Sequence, residues 1–228
     1  MRLVFLNTWY GKINQPLVKF IEKESQNTDV FCFQEASEKV RWFLKNNLSN
    51  YTLITDYKYI DNDDDFPQST YIKNTLKINT NSTILSDEPN SGLCVYTQIQ
   101  NENKIINLCN VHGISKPGNK LDTPGRIKQS QIIIDFMKNV AGPKVIGGDF
   151  NLELNTESVK MFEDNGYINL IKEFNISTTR NELAWKKYPD NKQYFADYIF
   201  VSPDIKVINF SVPNIEISDH LPLILEIE

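Results

Sequence analysis

Val145-Ile-Gly-Gly-Asp-Phe-Asn151 is the stretch around which the rest of the 228-residue chain can be read. Val145 and Ile146 are β-branched and follow Pro143, the signature of a short buried strand. Two glycines then let the backbone bend or approach another segment closely, and they deliver Asp149 and Asn151 at the strand's end. With a period of two, residues 149 and 151 face one way and Phe150 the other. This predicts a carboxylate and a carboxamide over one site, with Phe150 anchored in the core. Gly-Gly-Asp is also ordinary turn chemistry. The weight of the reading therefore depends on how many other strands end in the same manner.

Working outward, Arg2–Asn7 reads as a strand that runs into the loop Thr8-Trp-Tyr-Gly11. Pro16 sits at the first turn of a helix reaching about Gln26. Asp29–Gln34 is an unbroken apolar strand, as expected of one covered on both faces, and it ends in Glu35. Ser37 is placed to cap a second helix carrying Val40, Phe43 and Leu44. Residues 51–60 alternate loosely as a strand. Asp61-Asn-Asp-Asp-Asp-Phe-Pro67 follows; Phe66 stands where a calcium loop of the EF-hand type demands glycine, so a solvated loop is expected.

Between 70 and 112 the pattern is antiparallel, ending in Lys104–His112. Thr123 and Pro124 open a long helix through about Val140, and Thr156 caps another that Gly166 closes. A polar loop with Trp185 precedes strands at 194–201, 205–212 and 221–227. No linker or repeat interrupts the chain, which predicts one domain over residues 1–228. Two mixed sheets packed face to face, with helices outside each, would bury these strands on both sides.

Composition supports a folded protein with a substantial core: 40% of residues are hydrophobic and 23% charged. The net charge of -5 gives no global field for nucleic acid or an anionic membrane. Three cysteines, Cys32, Cys94 and Cys109, lie in apolar runs without a CxxC pair and read as reduced core thiols. No segment has the length of a signal peptide core or a membrane span. The expectation is a cytoplasmic protein without membrane partners, with a monomer favoured.

The strand ends share a chemistry. Asn7 closes the first strand, Glu35 the second, His112 the Cys109 strand, and Asp149 and Asn151 the central one. Asp197 lies within the Tyr194 strand, and Asp219-His220 immediately precedes the last. Both histidines of the chain are in this set. Asn7, Glu35 and Asp219 offer oxygens and no thiolates, which suits a hard cation such as Mg²⁺, with Mn²⁺ as an alternative. Asp149, Asn151, His112 and His220 are left for proton transfer, water orientation and contact with a developing oxyanion. That combination is what phosphoester cleavage needs.

Asn7-Thr-Trp9, Phe33-Gln-Glu35, Asn110-Val-His112, Gly148-Asp-Phe-Asn151, Ala196-Asp-Tyr198 and Ser218-Asp-His-Leu-Pro222 resemble, in order, the motifs of the endonuclease/exonuclease/phosphatase superfamily. The resemblance implies a DNase I-like fold, an α+β (α/β/β/α) four-layer sandwich of two mixed β-sheets flanked by helices. It implies Glu35 as the principal metal carboxylate, assisted by Asn7 and Asp219. Asp149 would polarise the attacking water, and Asn151 would contact phosphate or metal. His220 would contact the scissile phosphate, with Asp197 fixing its tautomer. His112 stands where the apurinic endonucleases carry tyrosine, which weakens an abasic-site reading.

Among only four arginines, Arg126 at the start of the long helix and Arg180 in the loop before Asp197 are candidate phosphate clamps. Trp185 in the same loop is a candidate for base stacking. The expected substrate is a phosphodiester, nucleic acid or nucleotide-like. A lipid, inositol or sugar phosphate is the alternative within the class, and a catalytically silent binding module the alternative outside it.

Overall fold

In the computed structural model, all residues are described except Asn62, Asp63 and Tyr188. The chain begins with β1 (Arg2–Asn7), a short 3-10 turn (Trp9–Gly11), α1 (Asn14–Glu24), β2 (Val30–Gln34) and α2 (Glu38–Leu44). β3 (Tyr51–Asp61) and β4 (Asp64–Lys73) pair as a hairpin. β5 (Lys77–Ile84), β6 (Leu93–Asn101) and β7 (Lys104–His112) form an antiparallel run. α3 (Pro124–Lys138) then returns the chain so that β8 (Lys144–Asp149) lies parallel to β7. The remainder is α4 (Glu157–Asp164), β9 (Ile168–Asn169), α5 (Leu170–Glu173), α6 (Glu182–Lys187), β10 (Asp197–Val201), β11 (Val207–Ser211) and β12 (Leu223–Ile227).

These strands make two mixed six-stranded sheets, ordered β11-β12-β1-β2-β4-β3 and β5-β6-β7-β8-β10-β9. The alternation in β1 explains the layering. Val4 and Leu6 face outward into a cluster with Leu17, Phe20 and Ile21 of α1 and Val40 and Leu44 of α2. Leu3 and Phe5 face inward and join the core of the other sheet, which also takes Ile133, Ile134 and Met137 of α3 and Phe162 of α4. A strand buried on both faces has no use for polar alternation, which is why β1, β2 and β8 read as apolar runs. The expected four-layer sandwich is the observed one.

The interface between the sheets changes character along its length. At one place it is tight and apolar: a Cβ on Gly147 would lie 2.8 Å from the Phe5 ring. Toward the strand ends it is hydrogen-bonded, Gln34 Nε2 donating to Asn110 Oδ1 across the gap at 2.6 Å and Asn110 Nδ2 to Thr70 Oγ1 at 3.1 Å. Buried polar groups need such partners, and these lead directly into the site.

Four expectations are corrected. The acidic stretch after β3 is not simply a solvated loop: β4 starts at Asp64 and Phe66 is fully buried, its ring 4.8 Å from that of His112. Asn62 and Asp63 of that stretch lie outside the described residues. The Ser37 side chain makes no capping bond to α2. Nor does the Thr156 side chain cap α4: Asp122 accepts from the backbone N–H of Glu157 at 2.7 Å and Ser158 at 2.9 Å, while the hydroxyl of Thr156 turns back to the Glu153 carbonyl. Trp185 sits in a short helix, α6, rather than a loop.

Candidate active site

Both sheets deliver side chains to one end of the sandwich. β1 presents Asn7 and the residue after β2 is Glu35; β7, β8 and β10 present His112, Asp149 and Asp197 in register, with Asp149 opposite both His112 and Asp197. Asp219 and His220 arrive on the segment before β12, held by an isolated bridge between Arg180 and His220. The chain turns sharply at two of these places: Glu35 and Asn151 have φ of 52° and 54°. Such left-handed conformations are costly for residues with a side chain and cluster at functional sites.

Asp149 is the centre. Its Oδ2 accepts from Asn7 Nδ2 at 2.9 Å and lies 3.6 Å from His220 Nε2. Its Oδ1 accepts from the Asn151 backbone N–H at 2.8 Å. Phe150 between them is buried in an aromatic group with Phe162, Tyr198 and Phe200, as the alternation predicted. Burial alone would raise the Asp149 pKa, but His220, Lys120, His112 and Arg180 together hold it far below the usual carboxylate range. Asp149 is therefore ionised at any working pH.

His220 Nδ1 faces both oxygens of Asp197 at 2.9 Å. Donation of Nδ1–H to Asp197 leaves Nε2 as the acceptor for Arg180 Nη1 and turns it toward Asp149. Burial and the Arg180 guanidinium push the His220 pKa down, Asp197, Asp149 and Asp219 push it up, and the net direction is upward. His112, buried against Phe66, is the opposite case: desolvation outweighs the Asp149 charge and lowers its pKa to about 4. It is a neutral imidazole at physiological pH.

Glu35 lies on the other side of Asn7, with the Asp219 charge near it. Glu35 Oε1 accepts from Asn7 Nδ2 at 3.1 Å, while Oε2 is buried with no hydrogen-bond partner among the described residues. Burial first, then the Asp219 charge, raises its pKa to about 7. A buried carboxylate oxygen without a donor, beside a second carboxylate, is the arrangement a hard divalent cation relieves. A second group, Asp149, Asp197 and His220, has donor atoms within 4.8 Å of one another and the spacing to hold a metal. In that group the His220 Nδ1 and the Asp197 oxygens already face each other at 2.9 Å, whereas the Glu35 Oε2 is the carboxylate oxygen left without a partner among the described residues.

Four residues are placed differently from the sequence expectation. Asn7 turns its carbonyl oxygen to the Trp9 N–H at 2.9 Å and its Nδ2 to the carboxylates, so it spaces Glu35 from Asp149 rather than offering an oxygen. Asn151 has its amide committed at both ends, Oδ1 accepting from Lys120 Nζ and Nδ2 donating to Gly113 O at 2.9 Å. Arg126 is no surface phosphate clamp: it is fully buried and donates to the carbonyls of Leu121, Ile114, Ser115 and Pro117. Trp185 donates its indole N–H to Gln193 O at 2.9 Å and packs on Tyr194. Arg180, by contrast, is in the site, its Nη2 donating to Asp219 Oδ2 at 3.0 Å.

One residue was missed altogether. Lys120, 6% exposed, reaches Asn151 from the loop between β7 and α3. Burial lowers its pKa to about 8, with Asp149 and Asp197 opposing and Arg180 and Arg126 assisting. In sequence it is one of two lysines in a polar loop, and nothing in Gly-Asn-Lys-Leu marks it.

A family model described as the Endonuclease/Exonuclease/phosphatase family matches residues 5–220. No curated protein matches the chain significantly. Among solved structures, an endonuclease/exonuclease/phosphatase from Bacteroides vulgatus superposes with a TM-score of 0.77 at 18% identity, covering 100% of this chain and 98% of the other. A mannosyl-6-phosphatase of Bacteroides thetaiotaomicron gives 0.74 at 16% identity over 100% and 99%. A truncated TDP2 from Caenorhabditis elegans gives 0.70 at 14% identity over 99% and 96%. Since that family model spans residues 5–220 and the two-sheet sandwich is the fold of those solved structures, this chain belongs to the endonuclease/exonuclease/phosphatase family of phosphoric ester hydrolases.

Proposed function

We propose that this protein is a Mg²⁺-dependent phosphodiesterase that cleaves nucleic acid or a nucleotide-like ester by attack of water. The observation that carries the hydrolytic reading is the placement of Asp149 Oδ2 between Asn7 Nδ2 at 2.9 Å and His220 Nε2 at 3.6 Å. An ionised carboxylate held by a donor on one side and facing an imidazole on the other accepts a hydrogen bond from a water and orients it for attack. Asp197 fixes the His220 tautomer, so that Nε2 faces the reacting group. His112, neutral, is available to donate to a phosphoryl oxygen without the desolvation cost of a buried charge. Glu35 and Asp219 would hold Mg²⁺, or Mn²⁺ in its place. When bound, the cation supplies charge neutralisation at the phosphoryl oxygens.

A phosphatase acting on a sugar, inositol or lipid phosphate is the second reading. The observation favouring it is the net charge of -5, since a polyanionic substrate gains no long-range attraction from such a surface, whereas a small ester needs none. The test is hydrolysis of bis(p-nitrophenyl) phosphate and p-nitrophenyl phosphate, with Mg²⁺ and with EDTA, by wild type and His220→Ala. Diester turnover requiring both the metal and His220 supports the first reading. A preference for the monoester moves the assignment to the second, and metal-independent turnover contradicts both.

A further inference from the structure

Asp149 divides the site. Its Oδ2 looks toward Asn7, which also touches Glu35; its Oδ1 is held by the Asn151 N–H. The Glu35 side is where a metal would sit. The Asn151 side holds a cation of the protein's own, the Lys120 ammonium, almost wholly buried. Three features of this lysine are unusual together. Its backbone is left-handed, with φ of 56°. Its carbonyl accepts from Glu153 N–H at 2.8 Å, tying it to the segment after Asn151. Among the described residues, Asn151 Oδ1 is its one hydrogen-bond acceptor, so two of its three donors remain open in a buried setting.

Surface lysines do not pay for burial in this manner, and a structural lysine would be satisfied. Lys58 in this same chain shows what satisfaction looks like: its ammonium donates to the carbonyls of Leu85, Glu88, Ser91 and Gly92 at 2.6–3.1 Å. Lys120 lacks such a cage and instead sits beside the reacting carboxylate.

We propose that Lys120 is the protein's anion anchor, receiving a non-bridging oxygen of the substrate phosphoryl group on the side of Asp149 away from Glu35. Asn151 is then a positioning residue. With its Nδ2 fixed on Gly113 O, its Oδ1 aims the ammonium rather than contacting the phosphate itself. The inference deepens the phosphoester reading and rests on it.

The test uses Lys120→Gln, which keeps a donor for Asn151 and removes the charge, and Lys120→Met as a second variant. Inorganic phosphate is titrated calorimetrically into wild type and variants in the presence of Mg²⁺, and as an inhibitor of diester turnover. The anchor predicts that phosphate affinity falls about tenfold or more in both variants, while Mn²⁺ affinity and melting temperature stay at the wild-type values. Unchanged phosphate affinity in a folded Lys120→Gln with wild-type turnover intact overturns the anchor and leaves the hydrolase reading standing. Lys120-dependent phosphate binding by a wild type without turnover does the reverse. Loss of Mn²⁺ affinity or of several degrees of melting temperature in Lys120→Gln overturns the anchor in favour of a structural role.

Discussion

Glu35 is a residue whose ionisation is set against its surroundings, and the consequence is measurable. Its pKa is raised to about 7 in the folded state, against an ordinary glutamate value of about 4.3. For a raised carboxylate, the native state prefers the protonated form. Stability is therefore full below about pH 4.5 and is lost as pH rises to about 7, by up to about 3 kcal/mol in the metal-free protein. Glu35→Gln should remove this loss. Without divalent metal, the variant should melt several degrees above wild type at pH 8 and together with it at pH 4.5; addition of Mg²⁺ should reverse the order at pH 8. Coincident melting curves at every pH would contradict the assignment. Asp197 is argued from geometry instead. Asp197→Asn keeps the shape but offers His220 Nδ1 an amide, so the tautomer that turns Nε2 to Asp149 is no longer enforced. Turnover should fall about 100-fold or more, by analogy with other Asp–His pairs, with substrate KM and fold little changed. A rate within a few-fold of wild type would separate the pair from catalysis.

The loop between β7 and α3 shows why some of the site was legible in sequence and some was not. Strand ends are readable, because an apolar run with a polar residue at its end states both the element and the position; Asn7, Glu35, His112 and Asp149 were all found in that way. A loop carries no such period. Arg126 reads as a helix-start arginine free to meet phosphate, yet its donors close the loop by bonding carbonyls on Ile114, Ser115, Pro117 and Leu121. Lys120 reads as a surface lysine and is buried by that same closure. The two are linked, since Arg126 fixes the path that carries Lys120 to Asn151. Arg126→Met should remove four hydrogen bonds from a fully buried guanidinium to part-buried loop carbonyls, at roughly 1–3 kcal/mol, and lower the melting temperature accordingly. It should also reduce kcat/KM although these four hydrogen bonds involve no reacting group. Weakened substrate binding with an unchanged melting temperature would instead restore the phosphate-clamp role. The short elements β9, α5 and α6 were missed for a related reason: two to six residues are too few to display a period, and packing decides them.

At the scale of the molecule, the site exists only while the two sheets keep their relative position. Asn7 and Glu35 come from one sheet, His112, Asp149 and Asp197 from the other, and the Asn7–Asp149 hydrogen bond of 2.9 Å spans the gap. The spacing is set partly by Gly147, two residues before Asp149. Its missing Cβ lets the Phe5 ring of β1 pack against the β8 backbone, where a methyl group would stand 2.8 Å from Cε1 and 3.0 Å from Cδ1 and Cζ. A ring fully buried in a close-packed core yields only by moving its strand, and overpacking of this kind costs typically 1–3 kcal/mol. Asn7 is two residues beyond Phe5 on that strand, so a displacement that lowers stability also carries Asn7 away from Asp149. Gly147→Ala should thus lower the melting temperature by several degrees and, in the fraction that remains folded, cut turnover and weaken Mg²⁺ binding together. Thermal melting, metal titration and kcat measured on one preparation decide it. A drop in stability alone would mean that the sheets tolerate relative movement and that the catalytic geometry is fixed locally at the strand ends.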